Sequence, residues 1–318
     1  MMAPTRMLGT VSSESRIEVG GDAALASVQP ALTIIVPCYD ERDAIVETVH
    51  RLAQYFAFHP KHEIVVVDDG SSDGSGQLLD ELVHSRKVPN LRVVHHDKNQ
   101  GYGAALKTGI RQASGELIAI TDADGTYPNE RLPELVRLAQ ELDMVVGSRT
   151  AKGVQYSKIR TLPKIFMRRW CSFIAGRPVP DMNSGMRVFR KHIAERYLGI
   201  LPDGFSFTTT ITLAMMTNRY RVRFEPITYS PRIGSSKIQP IRDTVRFTQL
   251  ILRTGMYFAP LRVLGPLIAI LWISFLVSLG YDVFVVRNLN EATLLLLSLA
   301  MNIAVLALLA DMIDKRSG

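Results

Sequence analysis

Carboxylates recur in this 318-residue chain where apolar runs stop. In ITDADGTYP, Asp122 and Asp124 stand two residues apart as an apolar run enters a turn. Hard oxygen donors so spaced suit Mg²⁺ or Mn²⁺, which bridges to phosphate oxygens and neutralises the charge on a departing nucleotide diphosphate. The same pair also reads as solvated turn aspartates, because Asp and Gly are common in turns. In EIVVVDDGSSDGS, Asp68 and Asp69 open a Gly/Ser loop, where a carboxylate accepts from a nucleobase N–H or a ribose hydroxyl. Capping of the next helix fits Asp73 or Ser75 better than either of them. In IIVPCYDERDAI, Pro37 ends a run and Tyr39 and Glu41 are placed to meet base and ribose, unless the acid simply caps a strand-to-helix turn.

Such side chains need a frame. From residue 32 onward, short β-branched runs alternate with helical patterns: LTIIVP, 43–58, EIVVVDD, 76–86, LRVVHH, 103–113, LIAITDAD, 130–142 and DMVVGSR. That alternation implies an α/β fold, a mostly parallel sheet with helices on both faces. Ligands of such sheets bind beyond the carboxyl ends of strands. Those ends carry Pro37, Tyr39 and Glu41, then Asp68 and Asp69, then Asp122 and Asp124, then Ser148 and Arg149. Residues 150–239 look less regular and are expected to supply the acceptor side of a catalytic domain spanning 32–239.

The two ends of the chain read differently. Residues 1–31 are small and polar with no apolar stretch of signal-peptide length, which predicts a disordered leader. Residues 240–260 have the pattern of an amphipathic helix lying on a membrane. The runs 263–286 and 292–313 are almost free of charge, and roughly 20 residues suffice to cross a bilayer. Two buried helices of a soluble core are the alternative. Asp282 is expected at an interface, since a carboxylate at the bilayer centre is costly. The short connection 287–291 forces an antiparallel hairpin. Arg246, Arg253 and Arg262 precede it and Lys315 and Arg316 follow it, so the positive-inside rule puts both ends and the large domain in the cytoplasm. A formal charge of +7 and a pI near 9.5 therefore point to the lipid bilayer and anionic substrates, since no nucleic-acid motif appears. Cys38 and Cys171 form no metal-ligand spacing. Two-helix anchors also associate, which leaves a homo-oligomer open.

In this order and spacing the segments resemble glycosyltransferase family 2, whose nucleotide-binding fold is called GT-A, over residues 32–237. NQGYGAALKTGIRQASGE, residues 99–116, is similar to that family's third segment, and its glycines suit close backbone approach near a nucleotide. The resemblance implies that Pro37, Tyr39, Glu41, Val67 and Asp69 contact the nucleoside with Asp68 beside them. It implies that Asp122, Ala123 and Asp124 hold nucleotide and metal, Asp124 as direct ligand. Three further segments resemble the dolichyl-phosphate mannose synthases and related polyprenyl-phosphate enzymes: GSR ending at Arg149, DMNSGMRVFRK with Asp181 and Arg187, and PRIGSSK with Arg232 and Lys237. Arg149 then corresponds to an acceptor-phosphate arginine, and Asp181 would orient Arg187 or the sugar. Two positions depart from the pattern. Thr126 replaces a glutamine that helps hold the metal, suggesting a hydroxyl or water ligand, and Met186 replaces an aromatic residue.

What the resemblance implies is inverting transfer of a hexose from a nucleotide sugar of the GDP-mannose or UDP-glucose type to dolichyl or undecaprenyl phosphate. A lipid phosphate is already ionised at neutral pH, so no strong base is needed. Arg160, Lys164 and Arg168 recur at helical spacing beside the expected acceptor entrance, or else form a solvated stripe. Processive synthases of the family carry Gln-x-x-Arg-Trp, whereas Arg168, Arg169 and Trp170 lack the preceding glutamine. An inert nucleotide-binding scaffold is the remaining alternative.

Overall fold

The run LTIIVPC forms β1 (Leu32–Cys38), buried along its whole length. Successive side chains point to opposite faces, so Leu32, Ile34 and Val36 enter one core cluster and Ile35 the other. A strand covered on both faces needs apolar residues at every position, which is why this one does not alternate. Full burial of a side chain such as Ile35 contributes about 1.5–3 kcal/mol. The computed structural model describes residues 31–59, 61–151, 161–230 and 240–317, without the side chains of 161–166, 240–247, 250 and 314–317. Residues 1–30 of the expected leader, Arg160, Arg232 and Lys237 lie outside the described residues, as do the side chains of Lys164, Arg246, Lys315 and Arg316.

Beside β1 lie β2 (His62–Asp68) and β4 (Leu117–Ile120), both parallel to it, and β3 (Leu91–His95) extends that edge. β5 (Met144–Ser148), β6 (Arg187–Arg190) and β7 (Val222–Pro226) complete seven strands in the order β3-β2-β1-β4-β6-β5-β7. Helices α1 (Ile45–Tyr55), α2 (Ser75–His84) and α4 (Leu132–Leu138) cover one face. The other is covered by α3 (Tyr102–Gln112), α6 (Lys191–Tyr197) and α7 (Phe207–Thr217). The expected α/β sandwich is therefore present, with one reversal: β6 runs antiparallel to both β4 and β5. Residues 161–230 are also more regular than expected, since α5 (Thr161–Ala175), β6, α6, α7 and β7 fill them. RVFR is only four residues long, too short for a period to show.

The C-terminal helices leave this layer. In α8 (Pro240–Phe258), Ile251, Thr254, Gly255 and Phe258 are buried and Leu252, Met256 and Tyr257 exposed, the stripe of an amphipathic helix. A Cβ on Gly255 would lie 2.8 Å from both Ile174 Cδ1 and Val263 Cγ2, so α8 packs closely on α5 and on the next helix. That helix, α9 (Pro260–Tyr281), ends in a π turn (Asp282–Val286) and is followed by α10 (Glu291–Ser317). Both are long and apolar enough to span, yet only 6% and 17% of their most apolar windows are buried against protein. Core helices would be buried, so the pair is a candidate transmembrane hairpin. Asp282 sits at its turn, where it accepts from Thr293 Oγ1 at 2.6 Å and Asn290 N at 2.9 Å. Its lone pairs are met inside the hairpin, at the end where an interface was expected.

Candidate active site

The loops after β1 and β2 are laced together by short polar side chains. Asp40, whose φ of 53° bends the chain sharply, accepts from Ser72 N at 2.8 Å, while its own N–H donates to Ser71 Oγ. Glu41 N donates to Ser75 Oγ and Arg42 N to Asp73 Oδ2. Asp73 also accepts from Ser75 N at 2.9 Å, so it does serve the start of α2. These bonds hold Tyr39, 39% exposed, and Glu41 at the rim of the sheet's carboxyl end.

Asp68 and Asp69 lie deeper than their sequence reading suggests, at 4% and 3% exposure. Asp68 accepts from Ser71 N and meets His95 Nδ1 at 2.9 Å; a Cβ at Gly76 would press on its Oδ2 at 2.8 Å. Asp69 accepts from Gln100 N at 2.9 Å, Gly101 N at 2.8 Å and His96 Nδ1 at 2.7 Å, with His96 Nε2 held by Thr108. A carboxylate at the amino end of α3 also suits the helix dipole. The expected direct nucleoside contact thus becomes, in this conformation, the fixing of two loops. Val67 is wholly buried in the ladder opposite Pro37, and Ala123 is 2% exposed with its carbonyl accepting from Thr48 Oγ1, so both act through backbone position.

Two glycines of the third segment, Gly101 and Gly103, permit a close approach of protein backbone. A Cβ on Gly101 would lie 2.5 Å from the carbonyl oxygen of Asp203, and one on Gly103 would collide with that of Pro202. They admit the 202–204 loop against α3. That loop carries Phe205, which stacks on Tyr102 at 5.5 Å between ring centroids.

Tyr102 in turn donates to Asp122 Oδ1 at 2.9 Å. Burial and the Asp122 charge push its phenol well above the ordinary 10, so the hydroxyl stays a donor at neutral pH. Asp124 Oδ1 accepts from Thr126 N at 3.1 Å and Thr126 Oγ1 at 2.6 Å. Thr126, expected as a metal ligand, is 2% exposed and donates to the acid, which orients Asp124. Both carboxylates are half-buried, and Gly125 between them, at φ 69°, has nothing within 4 Å of where its Cβ would be. Anchored carboxylate oxygens beside open space fit a hard divalent cation. Among the described residues no third acid, His or Cys joins them.

Against this loop stands a second constellation. Arg149 donates to Asp181 through Nε at 2.8 Å, Nη2 at 2.9 Å and its backbone N at 3.0 Å, and its Cζ lies 5.3 Å from the Tyr229 ring centre. Burial would raise the Asp181 carboxyl, but the hydrogen bonds and charge of Arg149 outweigh it and hold the group below its ordinary 3.8. Asp181 therefore orients Arg149, not Arg187. Arg187 is fully buried, donating to Thr208 O, Thr212 Oγ1 and Ser184 O, and burial pushes its guanidinium down to about 10. It braces the loop before β6 and presents no surface to a substrate. Arg168 is exposed on α5.

The two constellations touch. A Cβ on Gly185 would lie 2.7 Å from Asp122 Oδ1, and Gly185 N donates to Tyr127 OH at 2.7 Å. Tyr127 meets Tyr229 edge to face at 5.2 Å. Tyr102, Tyr127 and Tyr229 were not singled out from sequence, although the first two lie inside motifs that were.

The family model "Glycosyl transferase family 2" matches residues 33–198. Polyprenol monophosphomannose synthase of Mycolicibacterium smegmatis is 29% identical over 72% of this chain and 89% of its own. Undecaprenyl-phosphate 4-deoxy-4-formamido-L-arabinose transferase of Pseudomonas fluorescens is 31% identical over 74% and 67%. Among solved structures, the S. aureus TarS 1–349 complex with UDP aligns with a TM-score of 0.52 at 18% identity, over 71% of this chain and 64% of that one. Glucosyl-3-phosphoglycerate synthase from Mycobacterium tuberculosis aligns at 0.51 and 16%, over 73% and 78%. The structural matches carry the GT-A fold alone. With more than half of its length matched by the model, the chain belongs to glycosyltransferase family 2, alongside relatives of the polyprenyl-phosphate subgroup.

Proposed function

We propose that this glycosyltransferase moves a hexose, with inversion, from a nucleotide diphosphate sugar to a polyprenyl phosphate at the cytoplasmic membrane face. The observation that carries the reading is the contact of Gly185 with Asp122, which sets an acidic donor loop directly beside the Arg149–Asp181 pair. The names of two relatives, one a polyprenol and one an undecaprenyl-phosphate enzyme, support the acceptor.

Tyr39 and Glu41 at the strand rim would take the nucleoside, with the loops behind them fixed by Asp68 and Asp69. Asp122 and Asp124 would hold Mg²⁺ or Mn²⁺, which stabilises the diphosphate as it leaves. Tyr102 and Thr126 keep those carboxylates oriented before substrate arrives, so less reorganisation is required. Arg149, held in one plane by Asp181 and Tyr229, supplies the positive charge that steers the acceptor phosphate, and a guanidinium suits a phosphate geometrically. The phosphate oxygen attacks the anomeric carbon opposite the diphosphate; one C–O bond forms as the other breaks, and no proton need move. Arg232 and Lys237 belong to the same acceptor side by resemblance. The domain boundaries and cytoplasmic termini read from sequence complete the proposal, with α8 on the membrane surface.

The test is the full chain in bilayers with radiolabelled GDP-mannose or UDP-glucose, Mg²⁺ or Mn²⁺, and a polyprenyl phosphate. Label in the organic extract is expected. Label appearing only in a water-soluble glycan, or nowhere with any donor, sinks the reading.

A further inference from the structure

Three arginines on three different elements converge on one concavity. Arg177 follows α5, Arg219 follows α7 and Arg262 lies in the first turn of α9; with Gly176, Met216 and Thr217 they line a cavity of about 270 Å³ that, among the described residues, no carboxylate lines. Two of them are positioned by main-chain oxygens. Arg262 Nη1 donates to Ile174 O at 2.6 Å, and Arg177 Nη2 to Tyr220 O at 2.9 Å. Gly176, at φ 70°, makes room for the first of these, because a Cβ there would lie 2.6 Å from Arg262 Nη1. Three like charges held around one hollow repel unless an anion offsets them.

The setting narrows which anion. Pro260–Val286 is the candidate span, so Arg262 stands at its very start. Exposed Phe173 shortly precedes Gly176 in the chain and exposed Tyr257 and Leu261 shortly precede Arg262, with Trp170 and Phe173 paired at 5.7 Å. Aromatic side chains and arginines together mark the headgroup level of a bilayer. The acceptor phosphate belongs elsewhere. Arg221 O accepts from Asp143 N and Met144 N, so the turn after Arg219 abuts the amino end of β5, whereas Arg149 follows its carboxyl end. The strand between them spans about 15 Å.

We propose that this pocket seats the phosphate-bearing headgroup of an anionic bilayer phospholipid, separate from the acceptor, and sets how the catalytic domain rests on the membrane. The proposal depends on α9 and α10 spanning, and not on which acceptor is used. Full-length protein in detergent is titrated with phosphatidylglycerol or phosphatidylcholine, and lipid retention is read by native mass spectrometry. Wild type should retain phosphatidylglycerol saturably and in preference to phosphatidylcholine. Arg177→Gln with Arg219→Gln should weaken that retention on the order of tenfold, while the charge-matched surface pair Lys87→Gln with Arg111→Gln should not. Arg219→Gln alone, at an exposed position, should move in the same direction and covers the case of a poorly folded double variant. Equal retention of both lipids, no change in the arginine variants, an equal loss in the control pair, or displacement of phosphatidylglycerol by equimolar polyprenyl phosphate would each overturn the proposal. Because binding is the readout, a failure of sugar transfer leaves this result intact.

Discussion

Asp181→Asn separates a positioning role from a chemical one. The native carboxylate accepts three hydrogen bonds from Arg149 and one from Asn183 N, with side-chain exposures of 20% for Arg149 and 10% for Asp181. Asparagine keeps the shape and one acceptor oxygen but turns an NH₂ toward the guanidinium, so at least one charge-assisted bond is lost. Bonds to charged groups contribute about 1.5–3 kcal/mol. Stripping a buried ion pair costs about 3–5 kcal/mol, and the smaller range applies because Arg149 is partly solvated and keeps the Tyr229 ring. For a domain of this size each kcal/mol shifts melting by about 2–4 °C, so a drop of roughly 3–12 °C is expected.

The kinetic consequence is equally specific. A guanidinium released from its plane should raise the acceptor KM more than it lowers kcat, measured as label entering the organic phase while polyprenyl phosphate is varied. Arg149→Lys alone should show the same split, and the double variant should be little worse than either single one. An unchanged melting temperature in Asp181→Asn, or a fall in kcat with acceptor KM untouched, would refute the idea that Asp181 acts by holding Arg149.

Asp124→Ala should abolish metal-dependent transfer while the melting temperature stays near wild type; normal turnover would remove Asp124 from the site. Gly185→Ala should cut transfer by on the order of tenfold or more with little unfolding, because its Cβ would displace Asp122; full activity would mean that the contact is incidental. His95 gives a pH signature: burial alone would lower it, but Asp68 and Asp80 on its two ring nitrogens raise it above 6.5. That stabilisation is complete below 6.5 and is lost as pH rises through the higher folded value. The melting temperature should therefore fall across that window in wild type and stay flatter in His95→Gln; parallel curves would contradict it. Truncation after Lys237 should eliminate transfer to long-chain lipid acceptor in bilayers, and full activity there would deny the hairpin any part in delivering the acceptor.

How far the sequence could be read follows from how local each determinant is. β1, β2, β4 and β5 were visible because four to seven residues rich in β-branched types suffice to declare a buried strand, and the carboxylates at their ends follow by counting. The amphipathic helix and the two long apolar helices were equally plain, since their signal is summed over about 20 residues. Contacts between distant segments were not. Asp181 was expected to orient the sugar or Arg187, six residues away, while the guanidinium it holds is that of Arg149, 32 residues away. Gly101 and Gly103 show the same blindness: glycine at those positions announces that some backbone approaches, but only the fold reveals that it is Pro202–Gly204.

The missed direction of β6 explains why the acceptor side was read only by resemblance. In a parallel strand the residues that follow its carboxyl end reach the ligand side, and that rule places Asp68, Asp122 and Arg149. β6 is reversed between β4 and β5, with Arg187 opposite both Ile120 and Val146. Its amino end therefore lies where its neighbours' carboxyl ends are. The residues that reach the site are those before the strand, DMNSGM, and not the helix-forming residues after it. A single antiparallel insertion thus brings Asp181 to Arg149 and Gly185 to Asp122 at once, joining the proposed donor and acceptor sides through one six-residue turn. Arg187, the first residue of β6, spends its charge on the carbonyls of Ser184 and Thr208, so it holds that turn against α7 from beneath. Loss of this brace should disturb both halves of the site together, which distinguishes Arg187 from any residue that touches only one substrate.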